Sequence, residues 1–304
     1  MSEVTAREPG RTLAAHGLIG AAAAVLYVFL WASAFVPSRV LARDAPPLWI
    51  LTIRFAIAGG ILLIIAAAMR LPIPRDARTW VRLFALGLGG NALYLGLTYE
   101  ALRHLSAGMA SIIASTNPLI LALVAPWLLR EPLTARKLVG LLLGFAGVVL
   151  AMHARAGSQA ARLQDVLLAA AGVLSFVFSN ILYKRMAERP HPVVLNGAQL
   201  LSAAIALLPA SLALEGAPRL VWTGPVFWSL AYLIVILSVG ASMLWFWILQ
   251  HGEASRVSAY FFLVPAFGLL LSAILLGEQL AVADGIALVV IAAGLWLAAR
   301  PGPA

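Results

Sequence analysis

Cysteine is absent from the chain, and charged residues are scarce. The lack of cysteine excludes disulfides and thiolate metal sites, and it leaves no redox clue to a compartment. Charged residues make up 11% of the 304 residues, whereas a soluble domain carries about 25%. An ordinary soluble domain is therefore excluded.

The short motifs of common hydrolases are missing as well. The sequence contains neither the HExxH pattern of zinc proteases nor the GxSxG pattern of serine hydrolases, and both chemistries need their residues at that spacing. We therefore predict that the chain is not an enzyme and that it holds no cofactor and no metal. An intramembrane enzyme and a structural membrane subunit remain as alternatives from other classes.

What the sequence has in abundance is apolar residues. They make up 62% of the chain, and the mean hydropathy is +0.97. These values predict an all-α integral membrane protein whose surroundings are the lipid bilayer. The net charge of +9 does not indicate a nucleic-acid partner, because the basic residues lie in short connections between apolar runs, where they orient membrane proteins.

Much of the sequence occurs twice. The stretch from Tyr99 to Leu150 matches the stretch from Phe246 to Leu297 at a constant separation of 147 residues. The matched pairs include His104 with His251, Ser111 with Ser258, Pro118 with Pro265, Glu131 with Glu278 and Gly147 with Gly294. A repeat of this length is half a protein, far longer than the repeats of solenoids and propellers. It predicts two copies of one membrane unit.

Ten apolar runs are long enough to be membrane helices. We predict spans at 17–37, 47–69, 80–100, 107–128, 135–153, 164–184, 192–213, 225–248, 257–276 and 283–299. Residues 1–16 form an N-terminal tail, residues 17–153 the first five-helix repeat and residues 164–299 the second. Because five is odd, the second repeat enters the membrane upside down, which is the inverted-repeat architecture of secondary transporters.

Lysine and arginine predict the orientation. With the N-terminus inside, the inner connections contain 14 of these residues and the outer connections contain 6. Short cytoplasmic loops are enriched in them, so both termini are predicted to be cytoplasmic. The predicted location of the protein is the inner (plasma) membrane.

In the fifth span, Gly140, Gly144 and Gly147 recur at a spacing that favours close helix packing. Glu131 and Glu278, at span ends, are predicted to bind the amides of the next helix.

The repeat also carries a family resemblance. The run Trp-Ala-Ser-Ala-Phe at Trp31, the Arg-Phe pair at Arg54, and the segments ALRHLSAGMASII and LLREPLTARKLVGLLLGFAGVVL resemble the EamA domain of the drug/metabolite transporter superfamily. The second half is similar to the same domain. The resemblance implies a ten-helix exporter of small metabolites, and YddG-like members export amino acids, including aromatic ones. The first span lacks the buried glutamate of the related four-helix multidrug exporters, which argues against their exchange of protons for cations.

Aromatic, hydroxyl and amide side chains recur at helical spacing in six of the spans, the first, third, fourth, sixth, eighth and ninth. The predicted substrate-binding residues are Trp31, Ser33, Asn91, Tyr94, Ser111, Ser115, Asn180, Ser242, Trp245 and Ser258. Aromatic rings exclude water while a few hydroxyls orient polar ends. A cavity with this lining suits neutral or zwitterionic molecules. For any single serine, the alternative is that it bonds neighbouring helices.

Four further residues are candidates for gating the transport path or for breaking a helix. Arg54 lies about 10 Å inside the second span, where a charge is costly and needs a partner. We predict an ion pair with Glu100; as an alternative, Arg54 binds a substrate carboxylate or gates the outer side. Pro118 and Pro265, near the middle of the fourth and ninth spans, predict helix breaks, because proline lacks the backbone donor.

The functional prediction is a secondary transporter that exports small neutral or zwitterionic metabolites, foremost amino acids including aromatic ones. It works by alternating access around a midplane cavity. A broad-specificity exporter of drugs or other metabolites with the same fold is the alternative. Proton coupling, exchange and facilitated diffusion are all compatible with the sequence, as are a monomer and an oligomer.

Overall fold

The structure, a computed structural model, describes residues 9–128, 135–154, 162–186, 188–250 and 260–299. All regular secondary structure in these ranges is helical. The first half contains α1 (Pro9–Ser33), α2 (Phe35–Asp44), α3 (Pro47–Ala68), α4 (Ala77–Gly87), a π-helical segment (Leu88–Leu93), α5 (Tyr94–Leu102), α6 (Ala107–Ala114), α7 (Asn117–Leu128) and α8 (Ala135–Ala154).

The second half has a similar order of elements. It contains α9 (Leu163–Lys184), α10 (Pro192–Leu214), α11 (Gly224–Tyr232), a second π-helical segment (Leu233–Gly240), α12 (Ala241–Gln250), a 3-10 turn (Phe261–Leu263), α13 (Val264–Leu276) and α14 (Val282–Ala299). The two π-helical segments end at Leu93 and Gly240, which are 147 residues apart. The repeat therefore extends to local irregularities of the backbone.

Six helical runs are long and apolar enough to cross a membrane. They are Ile19–Asp44, Pro47–Ala68, Ala77–Leu102, Leu163–Lys184, Pro192–Leu214 and Gly224–Ile248. Three shorter apolar helices are Ala107–Leu121, Val264–Leu276 and Val282–Gly294. The chain is a multi-pass membrane protein, while the count of ten spans and the inverted orientation stay predictions. Both ends of the first span differ from the sequence-based expectation. Helix α1 begins at Pro9, within the predicted tail, and the helical run continues through α2 to Asp44, beyond the predicted end at residue 37.

Local sequence explains where several helices begin. Pro47 and Pro192 are the first residues of α3 and α10, a position where the missing backbone donor costs no hydrogen bond. Asp76 precedes α4 and accepts a hydrogen bond of 2.7 Å from the Thr79 backbone N–H. This bond lowers the pKa of Asp76, because the carboxylate is the better acceptor. These signals position the helices before any tertiary contact forms.

The main packing contacts pair helices across the two halves. Helix α3 packs along α10, α8 along α14, and α6 against α13. The pairs α3 with α10 and α8 with α14 consist of repeat-related helices, as expected when a pseudo-twofold axis relates the halves. Helix α5 packs on α9, and its repeat counterpart α12 packs on α1. The contacts between helices therefore repeat as the sequence does.

Glycine lets two of these pairs approach closely. A Cβ placed on Gly294 of α14 would lie 2.6 Å from the Gly140 carbonyl oxygen and 2.7 Å from the Gly144 nitrogen. A Cβ on Gly59 of α3 would lie 2.9 Å from the Leu201 nitrogen in α10. These atoms are backbone and cannot rotate away. Small residues of this kind are what membrane helices use for tight packing.

Two glutamates of the second half bind helix starts of the first half. Glu278 accepts hydrogen bonds of 2.8 and 3.2 Å from the backbone N–H groups of Ala107 and Gly108 at the start of α6. Glu215 accepts bonds of 2.9 Å from Leu48 and Trp49 at the start of α3. Each carboxylate satisfies donors that a helix start leaves open.

These contacts correct one expectation. Glu278 was predicted to bind the next helix in the chain, but it binds α6 from the other half. Gly277, with φ of +65°, turns the chain so that the carboxylate can reach back. The matching expectation for Glu131 lies outside the described residues.

The close contact at Gly294 gives the first testable prediction. We expect Gly294→Ala to destabilise the protein by about 1–3 kcal/mol, because the added carbon meets backbone atoms of α8. The thermal unfolding of the purified protein in detergent, followed by tryptophan fluorescence, measures this effect. Gly285→Ala in the same helix is the matched control, since a Cβ there has no heavy atom within 4 Å. Equal melting temperatures for the two variants would contradict the contact.

Candidate functional site

An aromatic cluster joins helices from both halves of the chain. The ring of Trp31 in α1 lies with its centroid 5.6 Å from that of Phe261 and 6.4 Å from that of Phe176 in α9. Tyr94, the first residue of α5, stacks on Phe176 at 4.8 Å. Rings at these separations attract one another beyond the effect of burial alone. The cluster therefore connects α1, α5, α9 and the 3-10 turn.

Tyr27 connects this cluster to α12. Its ring lies 5.1 Å from that of Trp245 and 6.5 Å from that of Phe261. Tyr27 precedes Trp31 by four residues, so both rings lie on one face of α1. The structure thus places the predicted residues Trp31, Tyr94 and Trp245 in one group. We call it the aromatic cluster: Tyr27, Trp31, Tyr94, Phe176, Trp245 and Phe261.

Two predicted serines connect helices near this cluster. Ser33 donates to the carbonyl of Leu30 at 2.7 Å and therefore accepts from the hydroxyl of Tyr232 in α11, 2.6 Å away. Ser242 accepts from the side-chain amide of Asn196 in α10 and donates to the carbonyl of Ser238 at 2.5 Å. Both hydroxyls thus satisfy polar groups inside the protein, as buried polar groups require.

Arg54 contacts hydroxyl groups rather than a carboxylate. Its Nε donates to Ser238 Oγ at 3.3 Å and its Nη1 to the Tyr99 hydroxyl at 3.5 Å. The Tyr99 hydroxyl in turn donates to Ser38 Oγ at 2.9 Å. Only 7% of Arg54 is exposed. We call these four residues, Ser38, Arg54, Tyr99 and Ser238, the arginine cluster.

The predicted ion pair between Arg54 and Glu100 is wrong in this structure. Glu100 instead pairs with Arg103 at 3.3 Å, and both side chains are about half exposed. Glu100 and Arg103 are three residues apart and meet on the surface of α5, where a pair forms without burying charge. Tyr99, the residue before Glu100, is the one that turns inward to Arg54.

With this geometry in place, comparison with known proteins identifies the family. The EamA-like transporter family matches residues 18–152 and again residues 164–300. The chain belongs to the EamA-like transporter family. It is therefore a membrane transporter and not an enzyme.

Several relatives of this EamA-like transporter align over most of their length. It is 31% identical over 254 residues to the uncharacterized transporter YvbV of Bacillus subtilis, covering 83% of this chain and 82% of the relative. It is 27% identical over 284 residues to a protein of Salmonella typhimurium named "Probable amino-acid metabolite efflux pump", covering 90% and 92%. One crystal structure with 20% identity shares the fold at a TM-score of 0.67, covering 92% of this chain and 96% of that one.

Two predicted binding residues of the transporter donate hydrogen bonds to nearby backbone carbonyls. Ser111 is fully buried and donates to the carbonyl of Gly108 at 2.7 Å, while Ser115 donates to the carbonyl of Ser111 at 2.7 Å. A Cβ placed on Gly268 of α13 would lie 2.2 Å from Ser111 Oγ. Ser111 therefore packs in the contact between α6 and α13, while its hydroxyl bonds a carbonyl of its own helix.

The predicted amide residues are half-buried. Asn91 lies within the first π-helical segment, and its carbonyl accepts from the Tyr94 backbone N–H. Asn180 lies near the end of α9. Within the described ranges, neither side chain has a hydrogen-bond partner. Ser258, the remaining predicted binding residue, lies outside those ranges.

Both predicted prolines stand at the second residue of a helical segment. Pro118 follows Asn117 at the start of α7, and the chain between α6 and α7 consists of Ser115 and Thr116. Pro265 follows Val264 at the start of α13, directly after the 3-10 turn. Proline at this position leaves no intrahelical donor missing. The buried Asn117 Oδ1 has no hydrogen-bond partner in the described structure.

Sequence reasoning missed several residues of the site. Tyr27, Phe176 and Phe261 complete the aromatic cluster, and Tyr99 and Asn196 complete the polar contacts. Tyr27 shares the spacing of Trp31 and Phe35 on one helix face, so its signal was present in the sequence. Asn196 carried no such signal, because its contact depends on how α10 meets α12.

The position of Ser111 gives the second prediction. We expect Ser111→Ala to change the apparent substrate affinity by less than about twofold, because its hydroxyl bonds a carbonyl of its own helix. Ser111→Leu should destabilise the protein by about 1–3 kcal/mol through overpacking against Gly268. Transport into proteoliposomes and thermal unfolding measure the two effects. A tenfold loss of affinity in Ser111→Ala at unchanged stability would restore Ser111 as a ligand contact.

Proposed function

We propose that this transporter exports small neutral or zwitterionic metabolites, foremost amino acids including aromatic ones. The single observation that carries the proposal is the aromatic cluster with its neighbouring hydroxyl and amide groups. Aromatic walls with a few polar groups are typical of sites for ligands that have an apolar part and a polar end. The name of the Salmonella typhimurium relative, "Probable amino-acid metabolite efflux pump", supports the same substrate class.

Alternating access is the proposed mechanism. The aromatic cluster is built from α1 and α5 of one half and from α9, α12 and the 3-10 turn of the other. In an inverted repeat of ten spans, rocking of one half against the other would separate these rings on one side at a time. Repeat-related contacts such as α3 with α10 support this arrangement. The proposed location is the inner (plasma) membrane with both termini in the cytoplasm.

The charges near the cluster favour zwitterions over cationic drugs. Arg54 is buried, and none of the described carboxylates forms an ion pair with it. A cation near this guanidinium would be repelled, whereas a molecule with a carboxylate would be attracted. Broad export of cationic drugs is therefore the less favoured alternative of the same fold.

Counterflow in liposomes tests the proposed function. Liposomes holding the purified protein are preloaded with one unlabelled amino acid or dye at a time and diluted into the labelled compound. We expect transient accumulation of aromatic and other apolar amino acids, with no requirement for a pH gradient, because exchange alone drives this signal. Protein-free liposomes are the control. Absence of counterflow for every amino acid in the panel would contradict the substrate class.

The aromatic cluster yields a mutational prediction. Trp31→Ala and Trp245→Ala should each weaken the apparent affinity for an aromatic amino acid about three- to tenfold, since each ring contact contributes about 0.5–1.5 kcal/mol. Trp31→Phe and Trp245→Phe should retain most of it. Trp228→Ala is the matched control, because Trp228 lies on the same predicted span as Trp245 but is 71% exposed. Intact transport in both alanine variants would show that the lining is assigned wrongly.

A further inference from the structure

Arg54 is a buried charge whose protein partners leave most of its donors unused. The guanidinium has five N–H donors in a planar fork. Two of its nitrogens donate to single hydroxyls at 3.3 and 3.5 Å, and such bonds are long compared with the usual 2.9–3.0 Å, a difference of about half an ångström. Among the described residues, its Nη2 has no partner. A charge in a membrane segment normally pairs with an opposite charge or faces water.

The chemistry of Arg54 and its partners indicates which kind of ligand group would complement the guanidinium. The hydroxyls of Ser238 and Tyr99 carry no charge and can each donate or accept. Tyr99 already donates to Ser38 at 2.9 Å. A carboxylate is the group whose two oxygens match the guanidinium fork, and a pair of this kind is bidentate. The Ser238 hydroxyl, which accepts from Arg54, can donate to one of the remaining lone pairs.

The arginine cluster lies at one end of the aromatic cluster. Along α1 and α2, Trp31, Phe35 and Ser38 recur at helical spacing, with Trp31 and Phe35 in ring contact at 6.0 Å. On the other side, Ser238 precedes Trp245 by seven residues, which is about 10 Å along a helix. Each of these two stretches thus carries a hydroxyl of the arginine cluster at one end and a ring of the aromatic cluster at the other.

We propose that Arg54, with the hydroxyls of Ser238 and Tyr99, forms a carboxylate subsite of the substrate site. The carboxylate of an amino acid or of another organic acid binds the guanidinium, and its side chain extends toward the rings of Trp31 and Trp245. This inference rests on the proposed function and narrows it, because it makes a carboxylate a requirement for binding.

The test compares one substrate with its carboxamide analogue, which lacks the carboxylate. Purified protein in detergent is titrated with phenylalanine and with phenylalaninamide, and binding is measured by tryptophan fluorescence and by ligand-induced thermal stabilisation. For the unchanged protein we expect phenylalanine to bind at least about tenfold more tightly than the amide, because a hydrogen-bonded charge is lost with the carboxylate. Equal affinities for the two compounds would overturn the proposal.

Substitutions at Arg54 assign the preference to this residue. In Arg54→Gln the preference for the acid over the amide should fall to within threefold, and Arg54→Lys should restore part of it. Arg103→Gln is the matched control, because it removes an exposed arginine that pairs with Glu100, and it should keep the full preference. A purely structural arginine would lower the melting temperature in Arg54→Gln without changing the preference, and this result would overturn the proposal.

A double variant provides the test if Arg54→Gln does not fold. Ser238→Ala combined with Tyr99→Phe keeps the charge and removes both hydroxyls, and it should reduce the preference at least threefold. An unchanged preference there would also overturn the proposal. Binding is measured separately from transport, so the exporter proposal and the subsite proposal can be contradicted independently. A carboxylate preference that depends on Arg54 without counterflow would contradict the exporter, and counterflow without that preference would contradict the subsite.

Discussion

The lack of water in the hydrocarbon core is the constraint on which this structure depends. Every backbone polar group in a spanning segment must find its partner within the protein or line a water-filled cavity. All described regular structure is accordingly helical, and the hydroxyls of Ser111 and Ser115 donate to carbonyls of their own helix. Helix starts that would face unsatisfied donors receive carboxylates, as Glu278 does for α6. The positions of the polar residues follow from this single requirement.

The same requirement joins the two halves. Glu215 and Glu278 come from turns of the second half, yet each binds the start of a helix in the first. Gly294 permits a backbone contact between α14 and α8 that no larger residue would allow. Contacts of this kind stabilise one relative position of the halves, and a transporter that alternates must exchange some of them for others.

The site combines two chemistries that sequence order keeps apart. Aromatic rings arrive from α1, α5, α9 and α12, and Arg54 arrives from α3 with partners in α5 and the second π-helical segment. A π-helical turn changes the direction in which later side chains point, and such turns are frequent at functional sites. Both π-helical segments border this region at repeat-related positions. The second π-helical segment contains Ser238 of the arginine cluster, and the first directly precedes Tyr94 of the aromatic cluster.

The sequence by itself determined the class of protein, the apolar helices, the repeat and three rings of the aromatic cluster. These features depend on composition and on spacing along one helix, which a sequence displays directly. Tertiary structure alone decided that Arg54 meets Ser238 and Tyr99 instead of Glu100. It also placed Ser111 against Gly268. Such partners depend on how each helix is rotated about its axis and on which helices adjoin it, and neighbours in space can be 184 residues apart in the chain, as Arg54 and Ser238 are.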